Sequence, residues 1–131
     1  MPRAGKPAAR AAALPGPALL AAFEKVRRAA KGLPAIEEGT SYGTPALRVR
    51  GKFFTRIWED GGTLVVKVDL DSQDSMLRLQ PEIFYPTDHY RGYPVILVRL
   101  SKIRAAQLRE LLADSWRFVA PKSLVAKLGA S

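Results

Sequence analysis

Apolar and polar positions divide this chain into stretches of helical period and stretches of period two. From Pro17 to about Lys31, residues Leu19, Phe23, Val26 and Ala30 fall at i, i+4, i+7 and i+11, the spacing of one buried helical stripe. Pro17 suits a first helical turn, Lys25, Arg27, Arg28 and Lys31 gather where cations complement the helix dipole, and Gly32 can end the helix. Extended chain follows. Ile36 to Tyr42 reads as a short edge strand. Ala46 to Arg50 alternates, with Leu47 and Val49 on one face and Arg48 and Arg50 on the other, and Gly51 turns the chain into a strand from Lys52 to Trp58. Glu59-Asp60-Gly61-Gly62 is a turn, and Thr63 to Val68 is the partner strand of a three-stranded antiparallel meander.

The second half changes period twice more. Asp71 is placed to cap a short helix from Ser72 to about Gln80, with Met76, Leu77 and Leu79 as candidate buried residues. Ile83 to Tyr85 is a brief strand, and Tyr93 to Leu100 has the apolar density of a buried one. Ser101 would cap a helix to about Phe118 with a stripe of Leu108, Leu111, Leu112 and Ser115. Pro121 opens a last helix carrying Leu124, Val125 and Leu128. No βαβ alternation occurs, so the expected class is α+β, a twisted antiparallel sheet backed by helices on one face.

Composition narrows the chemistry. A chain of 131 residues with 47% apolar content makes one domain with its own core, and the absence of cysteine excludes disulfides, thiolate zinc sites, Fe–S clusters and cysteine nucleophiles. No apolar run approaches the roughly 20 residues of a membrane span, so no membrane role is expected and the setting is read as cytoplasmic. The net charge of +9 favours acidic partners, nucleic acid first, with a protein partner as an alternative. It is uneven: residues 1–31 carry +6 and residues 32–131 only +3. Residues 1–16, rich in Ala, Pro and Arg, read as a disordered basic tail ahead of a single domain at 17–131. An acid-free, Arg-bearing tail also fits an organelle transit peptide, but the serine typical of one is missing.

No catalytic centre emerges. His89 is the single histidine, so a zinc site would rest almost wholly on carboxylates, and no metal or cofactor is expected. Asp69, Asp71 and Asp74 lack the glycine and bidentate Glu of a calcium loop. Asp88 beside His89, with Ser41, Ser72 and Ser115 elsewhere, lacks a nucleophile elbow, and adjacent side chains of an extended segment point opposite ways. One strand carries more. Period two puts Lys52, Phe54, Arg56 and Trp58 on one side, beside Arg48 and Arg50 of the neighbouring strand, and cations interleaved with rings are what a nucleic-acid surface needs. The same pattern also fits Phe54 and Trp58 as core beneath a helix with Lys52 and Arg56 at its rim, and both readings stay open. Arg91, Lys102, Arg104, Arg117 and Lys122 are scattered and read as solvated surface.

Together these motifs resemble the MmcQ/YjbR-like family. The resemblance runs through Ser41-Tyr42-Gly43-Thr44-Pro45, Arg48-Val49-Arg50-Gly51-Lys52-Phe53-Phe54, Val66-Lys67-Val68, Asp88-His89-Tyr90-Arg91-Gly92-Tyr93 and Leu108 to Ser115-Trp116-Arg117. It implies a frataxin-like (CyaY-like, double-wing) fold and the DNA-binding label that the family carries, and it brings no catalytic residues. Gly43, Pro45 and Gly51 match as backbone-geometry residues and Lys52 matches beside them. Asp88, His89, Tyr90 and Arg91 form a candidate surface site or the turn that launches the next strand. The acidic ridge with which frataxins hold iron has no counterpart, so iron binding does not transfer. The expectation is a non-enzymatic DNA-binding module, with a protein-interaction or small-ligand module as the alternative.

Overall fold

Each stretch of period two becomes a strand and each stretch of helical period a helix. The computed structural model describes residues 16–41, 43–58, 60, 62–86 and 92–130. The expected tail lies almost wholly outside them, as do Asp88, His89, Tyr90 and Arg91. In chain order the elements are α1 (Gly16–Ala30), β1 (Ile36–Ser41), β2 (Thr44–Val49), β3 (Lys52–Ile57), β4 (Thr63–Lys67), α2 (Leu70–Leu79), β5 (Phe84–Tyr85), β6 (Val95–Arg99), α3 (Ala105–Val119) and α4 (Lys122–Ala130).

The six strands form one sheet in the order β1-β2-β3-β4-β6-β5, antiparallel at every step. The first four are successive hairpins, so the meander is one strand longer than expected and has β1 at its edge. The main core lies on the helical side. There Phe23, Val26, Ala29 and Ala30 of α1, with Leu108, Leu111, Leu112 and Trp116 of α3, pack on Leu47, Val49, Phe54, Ile57, Leu64, Val66, Ile96 and Val98. Burial at roughly 25 cal/mol per Å2 of apolar surface makes this layer the main source of stability. Long-range polar links pin it. Trp116 Nε1 donates to the Pro34 carbonyl at 2.9 Å. Lys25 Nζ donates to the Leu100 carbonyl at 2.6 Å, tying α1 to the end of β6. Arg27 grips Glu38 of the edge strand with two bonds, Nε to Oε2 at 2.7 Å and Nη2 to Oε1 at 2.9 Å, and also pairs with Glu24.

Two helix starts differ from expectation. Asp69, not Asp71, caps α2: its Oδ1 accepts the Ser72 amide at 2.8 Å and its Oδ2 the Ser72 hydroxyl at 3.0 Å. The sheet holds the chain as far as Val68, whose amide donates to the Pro94 carbonyl at 2.9 Å, so Asp69 is the first residue free to cap. Asp71 instead sits in the first turn, where an acid suits the dipole. Ser101 does not cap α3. The chain turns tightly after β6, with Lys102 and Ile103 amides donating to the Arg99 carbonyl, which buries Ile103 and delays the helix to an N-cap at Arg104. In α2, Met76 and Leu77 pack against the core but Leu79 is 70% exposed.

Candidate nucleic-acid interface

The sheet's other face is set by one hairpin and one bulge. Between β2 and β3 the loop is only Arg50-Gly51, with φ of 52° and 81°. Two central residues with positive φ make the two-residue hairpin turn whose twist matches the strands, and glycine takes the second position without strain. The Glu37 carboxylate accepts the Gly51 amide at 3.1 Å and steadies that turn. This short loop pairs Val49 with Lys52 and Arg48 with Phe53. Arg48 and Phe53 therefore share the face turned away from the helices.

The next pair is Leu47 with Thr55, so Phe54 is an extra residue in β3. The bulge turns Phe54 into the helical core, fully buried, and Ser115 of α3 donates to its carbonyl at 3.2 Å. The set Lys52, Phe54, Arg56 and Trp58 therefore does not share a face, because strict period two fails at the bulge. Lys52 and Phe54 lie in register with the helical side, and Arg56 and Trp58 turn the other way. Arg56 is 1% exposed, with Nη1 donating to Thr44 Oγ1 at 3.3 Å, and belongs to the interior rather than to a phosphate-contacting surface. Arg50 and Lys52 are exposed, and Trp58 and Arg48 are half-buried. Arg48 Nη2 donates to the Thr40 carbonyl at 2.6 Å.

What the bulge assembles instead is a small apolar centre of Val65, Val95 and Leu97, bordered by the half-buried rings of Phe53, Trp58 and Tyr85. A cation stands over each ring: Lys67 over Phe53 at 5.4 Å, Arg56 over Trp58 at 5.2 Å and Arg99 over Tyr85 at 4.1 Å. Tyr85 is held at its far end, its hydroxyl 2.6 Å from Thr63 Oγ1, which donates to Asp60 Oδ2 at 2.9 Å. Asp60 Oδ1 in turn accepts the Gly62 and Thr63 amides at 2.9 Å, so the turn after β3 anchors the ring. Among the described residues no helix contributes to this cluster.

Period-two reasoning overlooked Phe53, Lys67, Tyr85 and Arg99. A signal for Phe53 was present, since a two-residue loop at Arg50-Gly51 dictates the Arg48–Phe53 pairing. Lys102, Arg104, Arg117 and Lys122 are exposed, as expected of solvated cations. Glu38 is held below the usual carboxylate range by the Arg27 guanidinium, Arg27 is raised by Glu38 and Glu24, and Asp69 is lowered by its capping bonds to Ser72. Among the described residues no three of His, Cys, Asp and Glu come together to hold a metal ion. This face offers stacking surfaces and positive charge.

An antiparallel six-stranded sheet with its helices on one side and rings and cations on the other defines an α+β domain. That fold is shared with a crystal structure of a Deinococcus radiodurans protein of the DUF419 domain class, at a TM-score of 0.66 and 22% identity over 82% of this chain and 87% of that one. The YjbR family model matches residues 31–118, and the chain belongs to that family. It is also similar to uncharacterised proteins of Mycobacterium tuberculosis and Mycobacterium bovis, 44% identical over 46 residues. That stretch takes in 35% of this chain and spans 36% of each relative. Among the described residues no helix is long and apolar enough to cross a membrane.

Proposed function

We propose that this domain is a non-enzymatic, cytoplasmic nucleic-acid-binding module that holds single-stranded DNA across the sheet face turned away from the helices. The observation that carries the reading is the trio of cation–ring pairs around Val65, Val95 and Leu97. Bases stack on the rings, worth roughly 1–3 kcal/mol for each stacked base. Lys67, Arg99 and Arg48 meet the phosphates, and the net +9 adds long-range attraction. Single strands suit this face because their bases have free π surfaces, and no described helix projects from it toward a major groove.

The test is a titration of a short fluorescent single-stranded oligonucleotide with the whole protein, with Phe53→Ala/Lys67→Ala, and with a protein lacking residues 1–15. The double variant should bind about tenfold or more weakly, and wild-type affinity should fall by orders of magnitude between about 0.05 and 0.2 M salt. Unchanged affinity in the double variant would rule the sheet face out, and binding lost with residues 1–15 would assign the charge effect to the tail. One observation favours the alternative of a protein- or small-ligand-binding module. A groove of about 380 Å3 between α1 and β1 has Leu33, Ile36 and Leu47 along its floor and Arg28 and Lys31 at its rim. A small molecule that co-purifies with the protein and is lost on Ile36→Asp would support that module.

A further inference from the structure

Among the described residues, three clefts on the helical side of the domain differ in charge. The groove between α1 and β1 mixes Arg27, Arg28 and Lys31 with Glu24 and Glu38, and the ion pairs of Arg27 neutralise much of it. A second cleft, between the end of α2 and the start of α3, mixes Lys102 and Arg104 with Glu82 and Glu110. The third, of about 280 Å3 between α1 and α3, is lined by Lys25, Arg28, Ala29, Ala105, Leu108 and Arg109, with no acid among them. Buried Ala29 and Leu108 make an apolar floor, and the small side chains of Ala29 and Ala105 leave the space open.

We infer that this cleft is a binding site for a phosphate group, separate from the sheet face and independent of the reading given to it. Lys25, Arg28 and Arg109 bring three positive charges to one concavity, and among the described residues Arg28 and Arg109 form no ion pair that would offset them. An apolar floor lowers the local dielectric and strengthens the pull on an anion. Lys25 is already positioned by its 2.6 Å bond to the Leu100 carbonyl, and an ammonium keeps further donors for a ligand. Two guanidinium forks and an ammonium match the several acceptor oxygens of a phosphate dianion better than the single charge of a carboxylate. The size is compatible with this: about 280 Å3 leaves room for one phosphoryl group among the three cations. That group is either a free phosphate or the terminal phosphate of a nucleic acid.

The experiment follows backbone amide shifts by NMR while inorganic phosphate is added to the whole protein, against chloride and acetate at matched ionic strength. Saturable shifts confined to residues 25–29 and 105–109, absent with chloride and acetate, are expected. Arg28→Ala/Arg109→Ala should weaken phosphate binding about tenfold or more, and both residues are exposed, so the fold should survive. Equal shifts with acetate, or unchanged phosphate affinity in the double variant, would overturn the site. An affinity advantage of a 5′-phosphorylated oligonucleotide over its 5′-hydroxyl form, lost in Arg28→Ala/Arg109→Ala, assigns the phosphate to a nucleic-acid end. Saturable phosphate binding without that advantage assigns it to a free phosphate. Phe53→Ala/Lys67→Ala should leave phosphate binding intact, so failure of the sheet-face reading shows up separately.

Discussion

The two faces of the sheet are made from the same six strands and solve different problems. On the helical side, α1 and α3 cover aliphatic side chains almost without interruption, and the buried polar groups there serve the backbone: Thr55 Oγ1 donates to the Val65 carbonyl at 2.9 Å and Ser115 to that of Phe54 at 3.2 Å. On the other side, among the described residues, the apolar cluster is the small one of Val65, Val95 and Leu97, and each ring bordering it carries a cation. One face is built to exclude water and the other to keep charge close to aromatic surface. Stability should therefore respond chiefly to the first face and, under the function we propose, nucleic-acid affinity to the second.

The sharpest separation comes from Trp116. It is fully buried on the helical side and also holds the Pro34 carbonyl. Trp116→Ala leaves a large cavity and an unpaired carbonyl, and should cost about 3–5 kcal/mol of unfolding free energy, read by urea denaturation. The fraction still folded should bind oligonucleotide as wild type does. Loss of affinity per folded molecule would mean that the two faces are coupled. The mirror experiment is Phe53→Ala/Lys67→Ala, which should cut affinity about tenfold while leaving the midpoint shift well short of that of Trp116→Ala.

How far the sequence anticipated this depends on the kind of signal. Periodicity placed the stripe of α1 and the buried run of α3 correctly, because amphipathic patterns report burial directly. It misjudged the face of β3, because a bulge inserts one residue without any change in composition. Phe53 and Phe54 are chemically identical neighbours, and only the pairing with β2 decides which one enters the core. The cations over the rings were missed for a related reason: Lys67, Arg99 and Tyr85 lie on three different strands, and their meeting depends on β6 inserting between β4 and β5. The cleft between α1 and α3 likewise joins residues about 80 positions apart.

The turn that fixes the face is a smaller lever. Arg50 occupies a left-handed conformation, φ 52°, that costs a residue with a large side chain about 1 kcal/mol and suits asparagine better. Arg50→Asn should raise stability by about that much in thermal unfolding. Because Arg50 lies at the tip and its guanidinium bears on neither ring cluster nor cleft, affinity should drop only by the value of one surface charge. A large drop would move the binding site toward the hairpin tip and away from Phe53 and Lys67.

The smallest expected effect is a pH dependence that belongs to the helical side alone. Glu38 in the edge strand is lowered by Arg27, and Asp69 by its capping bonds. A carboxyl whose folded-state affinity for protons is lowered contributes stability in full above its unfolded value and loses it as pH falls through the folded one. Stability should therefore decline below about pH 4.5 as these carboxyls take up protons. Arg27 stays charged throughout and adds no slope. In Glu38→Gln the decline should be shallower, because one of the two lowered groups is gone. The difference should be modest, since Arg27 and Glu38 remain 42% and 46% exposed and salt screens them. An unchanged acid limb in Glu38→Gln would show that the bidentate pair only orients the edge strand, and would leave the Asp69 cap as the group behind the slope.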